Sequence, residues 1–146
     1  MQTPAATPRT RTVVDTTDRC SDEELQQWLA FDTFRRFYKG DGLSENLDLM
    51  LLAGGHYTLT LTGCLGLYGA AVGTWRVENR QLYLDPDEEM GTLAKLPIRK
   101  LNIRVFTSRD NRFDDTIALV EDRNLEWLNK NGVDRYGCFT PSFTGF

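Results

Sequence analysis

The chain has 146 residues, of which 40% are hydrophobic, 26% charged and 11% aromatic, and its net charge is −4. These are globular values that exclude a disordered or fibrous chain and allow one domain with a sizeable core. The acidic balance argues against a nucleic-acid partner, and no apolar run approaches the roughly 18–20 residues of a membrane span.

The first twenty residues, MQTPAATPRTRTVVDTTDRC, are rich in Thr, Pro and Arg and read as a flexible arm preceding one domain over residues 21–146. They lack the apolar stretch of a secretory signal. The three cysteines (Cys20, Cys64 and Cys138) show no metal-type pair spacing. Together these features predict a cytoplasmic protein with reduced thiols; a Cys64–Cys138 disulfide would require an oxidising compartment.

Ser21-Asp22-Glu23-Glu24 is a capping box, with Ser21 as N-cap and Glu24 at the third helical position. Apolar residues follow at Leu25, Trp28, Leu29, Phe31, Phe34, Phe37 and Tyr38. This spacing predicts a helix over about residues 22–38, ended by Gly40 and packed on a sheet by its aromatic face. Beyond Gly40-Asp41-Gly42 the period becomes two. Leu47, Leu49 and Leu51 share one face, Gly54-Gly55 fits a two-residue hairpin turn, and Tyr57, Leu59 and Leu61 alternate with His56, Thr58, Thr60 and Thr62.

Trp75 and Val77 mark a third strand, Asn79-Arg80 a turn, and Leu82 and Leu84 a fourth strand that Asp85-Pro86 ends. Residues 85–97 read as a connection, IRKLNIRVFT as a strand, SRDNRFDD as a charged loop and TIALV as a short buried strand. EDRNLEWLNKNG fits either a short helix or an extended strand, and the aromatic tail YGCFTPSFTGF has no assignable pattern. Short, half-polar strands with one helix predict an α+β fold, mostly antiparallel β, with the N-terminal helix packed on a curled sheet or barrel.

Candidate chemistry is sparse. His56 is the single imidazole, which nearly excludes a catalytic zinc site, and its same-face neighbours are threonines that cannot orient a base. Gly63-Cys64-Leu65-Gly66 and Gly69 lack the lysine and following helix of a phosphate loop, so turns and bulges account for these glycines. Asp85, Asp87, Glu88 and Glu89, and Asp110, Asp114 and Asp115, lack the spacing of a calcium loop and read as solvated charges. Arg99, Lys100, Arg104 and Arg109 read as solubility and edge protection. No cofactor and no metal are expected.

Gly73-Thr74-Trp75, set in an antiparallel meander, resembles the Gly-X-Trp element of the lipocalin-like (calycin) β-barrels. The resemblance implies a lipocalin-like barrel holding a small apolar ligand at its mouth, with Trp75 packing one end and no catalytic residue. Trp28, Phe34, Tyr57, Tyr68 and Trp75 are the candidate ligand-binding residues. The leading expectation is a non-catalytic cytoplasmic binding protein, a protein-interaction module of the inhibitor or immunity type. The alternative is a lipocalin-like carrier of a small apolar ligand. A hydrolase-type enzyme using His56 and Cys64 ranks third.

Overall fold

The computed structural model describes residues 13–30, 34–40, 45–108, 116–132 and 137–141. In chain order the elements are β1 (Val13–Asp15), α1 (Asp22–Leu29), β2 (Phe34–Gly40), β3 (Glu45–Leu52), β4 (His56–Gly63), β5 (Gly66–Glu78) and β6 (Gln81–Gly91). Then come α2 (Thr92–Lys95), β7 (Lys100–Ser108), β8 (Thr116–Val120), α3 (Leu125–Asn131) and β9 (Thr140–Pro141). Every strand pair is antiparallel, and the neighbours run β1-β7-β6-β5-β4-β3-β2-β9, with β8 also on β7.

This is a curled, mostly antiparallel β structure with few helices, in which an isolated bridge links β8 to the segment leading into β9. Phe139, just before β9, exchanges hydrogen bonds of 3.0 and 2.8 Å with Leu119 of β8. Thr140 and Pro141 pair with Tyr38 and Phe37 of β2. The alternation of β4 sends Tyr57, Leu59 and Leu61 inward. They join Leu49 and Leu51 of β3, Trp75 of β5, Leu82 and Leu84 of β6, and Leu101, Ile103 and Val105 of β7 in one continuous core.

The capping box forms as the sequence predicts: the Ser21 hydroxyl accepts from the Glu24 N–H at 3.1 Å, and the Glu24 carboxylate accepts from the Ser21 N–H at 2.9 Å. The helix is nevertheless shorter than the aromatic spacing predicts. It ends at Leu29, and from Phe34 the chain is strand, in seven-residue register with β3 from Phe34↔Leu52 to Gly40↔Asn46. Aromatic residues favour a pleated surface, and an eight-residue helix has little stability of its own, so cross-strand pairing wins over the helical period. Leu25 and Leu29 of α1 are fully buried and Phe37 enters the core from β2, while Trp28 packs against the core half-buried.

Three other expectations change. The loose arm gives way at Val13, because β1 pairs Val13–Asp15 with Phe106–Ser108 of β7. The turn at Gly54-Gly55 is one residue longer than predicted: Ala53, Gly54 and Gly55 separate the strands, the Gly55 N–H donates to the Leu52 carbonyl at 3.0 Å, and Gly55 has φ +92°.

Asp85-Pro86 does not end its strand either. Pro86 sits in a bulge opposite Gly73 and β6 continues to Gly91, a placement proline tolerates because a bulge releases it from the ladder. A Cβ at Gly73 would lie 2.1 Å from the Asp85 carbonyl oxygen, so only glycine admits this approach.

EDRNLEWLNKNG takes the helical alternative: α3 buries Leu128 against Ala118, Val120 and Cys138 on the outer side of β8. The anticipated arm residues 1–12, Phe31, Asp41-Gly42, loop residues 109–115 (with Arg109, Asp110, Asp114 and Asp115) and tail residues 142–146 lie outside the described residues. Among the described residues no helix is long and apolar enough to cross a membrane.

Candidate functional site

Strand register separates the five predicted ligand residues into four at one end of the sheet and Tyr68 at the other. Register brings four of them to the end of the sheet capped by α1: Phe34 pairs with Leu52, Tyr57 pairs with the adjacent Leu51, and the Trp75 indole donates to the Leu52 carbonyl at 3.0 Å. The Trp28 carbonyl accepts from Arg35 of β2 at 2.9 Å. Trp75 and Tyr57 are packing residues at 4% and 1% exposure, whereas Phe34 is partly in solvent. Tyr68 lies at the opposite end, its hydroxyl accepting from the Leu65 N–H at 3.3 Å across the β4–β5 turn.

His56 and Cys64 are also kept apart. His56 begins β4 and Cys64 follows its last residue, and eight extended residues at ~3.3 Å each span about 25 Å. Cys138 is buried beside Ala118 and Val120, while Cys64 is exposed in its turn.

The acidic stretch is ordered strand, and two of its four carboxylates are ion-paired. Asp85 forms an ion pair with Arg76. Glu89 is the cross-strand partner of the buried Ala71, so it shares the inward face, and Arg99 donates to both of its oxygens at 3.2 and 2.5 Å. Beside this pair the Tyr57 hydroxyl is buried with no hydrogen-bond partner among the described residues. Burial, together with the charge of Glu89, pushes its pKa up to about 12.

The arrangement that stands out lies on the outer face of β5 and β6. Alternation along β5 turns Ala71, Gly73 and Trp75 inward and leaves Val72 outward; Leu67 is exposed near the turn. Register places Met90 beside Ala70 and Glu88 beside Val72, with Thr58, Thr60 and Thr62 of β4 on the other flank. Leu67, Val72 and Met90 are 58%, 40% and 55% exposed, and Leu65 at the hairpin tip is 91% exposed. Between them, residues 70–72 and 88–90 line a shallow cleft of about 330 Å³.

Scattered surface leucines are ordinary, but adjoining exposed apolar side chains around a concavity mark a surface that gains by being covered. The alternation that would reveal Val72 is broken by three glycines in β5, and Met90 hides in a stretch that composition assigns to a connection. No protein-family model matches the chain, and no curated protein matches it in sequence.

Proposed function

We propose that this protein is a non-catalytic protein-interaction module that binds its partner through the outer face of β5 and β6. The observation that carries this reading is the exposed apolar strip of Leu65, Leu67, Val72 and Met90 around its shallow cleft. An interface core needs apolar side chains that lose water on docking, ringed by polar groups; here threonines of β4 and Glu88 form that ring. The lipocalin-like carrier reading has less support, because leucines, isoleucine, valine, tyrosine and tryptophan from successive strands fill the sheet's interior. The hydrolase reading has less still, with His56 and Cys64 at opposite ends of β4.

A photo-crosslinking residue in place of Val72 tests the proposal in the native cell. It is expected to give one discrete protein adduct, lost when Met90→Asp is added and absent when the crosslinker replaces the exposed Lys130 on α3. Identical adducts from both positions, or none from position 72, would refute it.

A further inference from the structure

One edge of β7 changes partner midway. Lys100–Asn102 pair with β6, and Phe106–Ser108 pair with β1. Between them the backbone is served from elsewhere: the Ile103 N–H donates to the Arg80 carbonyl at 3.1 Å, the Val105 N–H to the Thr17 hydroxyl at 2.8 Å, and the Val105 carbonyl accepts from the Thr16 N–H at 2.8 Å. The two flanking segments leave a polar cleft of about 300 Å³, at the lower end of the size range of small-molecule sites.

Its walls carry charges of both signs that do not pair with each other. Arg80 donates through Nε and Nη2 to the carbonyls of Cys20 and Asp18, and Arg104 through Nη1 to the carbonyl of Ile103. All three acceptors are neutral, so each guanidinium keeps its charge and donors to spare. Asp15 uses one oxygen to accept from the Thr17 N–H and hydroxyl. The Asp18 carboxylate enters no hydrogen bond or ion pair among the described residues.

Elsewhere on the sheet cations find carboxylates, as in Arg36–Asp48, Lys39–Glu121, Arg76–Asp85, Arg99–Glu89 and Lys100–Asp122. In this cleft Arg80 and Arg104 are bonded to backbone carbonyls instead.

The cleft is also pre-shaped. Asn79 and Arg80 both have positive φ, +53° and +59°, the geometry of a primed hairpin turn in which glycine is usual at the second position. The Asp22 carboxylate, accepting from both of their N–H groups at 2.9 Å, holds that conformation. On the floor, buried Asn102 is fixed by Gln81, the Val120 carbonyl and Asp122.

From these charges of both signs lining one cleft and not pairing with each other we infer that the cleft binds a small zwitterion of the α-amino-acid type. Its carboxylate meets Arg80 and Arg104, and its ammonium meets Asp15 and Asp18. A planar guanidinium suits a carboxylate, and a site that keeps both signs selects a ligand bearing both. The inference is independent of the apolar strip.

The test is a nuclear magnetic resonance titration of the full chain with glycine, L-alanine and L-glutamate, and separately with acetate and methylammonium. Expected is a saturable shift of the Arg80, Gln81 and Asn102 amides with at least one amino acid, with acetate and methylammonium each weaker by about tenfold or more. Arg104→Gln and Asp18→Asn should each weaken binding by about tenfold while leaving the thermal midpoint in place, since neither removes a cross-strand bond. No saturable shift with any amino acid would overturn the inference, as would acetate binding as tightly as glycine.

Discussion

At the residue scale, Tyr57 shows what position in a sheet does to a side chain. Period-two alternation assigns it to the inner face, and it is there, but only the packed structure leaves its hydroxyl without a partner among the described residues. The phenol titrates near 10 in an unfolded chain and near 12 in the fold, chiefly through desolvation. The fold therefore favours the protonated form. Its contribution to stability is complete below about pH 10 and is lost as pH rises through about 12. Tyr57→Phe should flatten that alkaline decline in a series of denaturant melts. At neutral pH the variant should hold its thermal midpoint, because no hydrogen bond is lost; a marked fall there would show that the hydroxyl has a partner. Glu89 is the opposite case: nothing in DPDEEMG distinguishes an inward carboxylate from its solvated neighbours until register sets it beside Ala71.

At the element scale, α1 is tied to the sheet by both apolar and polar contacts. Leu25 and Leu29 are buried, Gln26 accepts from the Val77 N–H at 3.2 Å, and Asp22 caps the β5–β6 turn. Asp22→Ala would leave two turn N–H groups without their acceptor while Asn79 and Arg80 stay in an unfavourable conformation. The expected loss is about 1–2 kcal/mol in urea melts, with faster amide exchange at both turn residues; unchanged exchange would show that the turn holds itself. The capping box was legible because it is a local device written in four residues. The end of α1 was not, because Phe34 and Phe37 satisfy a helical period as well as a strand, and the arbiter is β3, which the local sequence cannot see.

At the scale of the whole molecule, the curled sheet depends on a short C-terminal segment. Phe139 is fully buried, bridges Leu119 and precedes the two residues paired to β2, so it links β8 to β2. Phe139→Ala should cost about 3–5 kcal/mol by the cavity it opens. Because the edges of β2 and β8 then lose their cover, concentration-dependent oligomers should appear in light scattering. Phe139→Leu should keep the parent protein's size in solution, because it still fills the seam, and Phe139→Ala protein of unchanged size would show that the sheet holds without this bridge.

The sequence by itself determined the fold class, most strand positions, the N-terminal cap and the inward set of β4, because each is written in local period or spacing. The tertiary structure alone decided where α1 stops, that β6 runs on through Pro86, that β1 and residues 139–141 belong to the sheet, and which charges pair. It also decided which surfaces remain uncovered: Val72 and Met90 adjoin, and Arg80 faces the same cleft as Arg104, only through strand register. Register is a pairing between distant segments, and no local pattern encodes it.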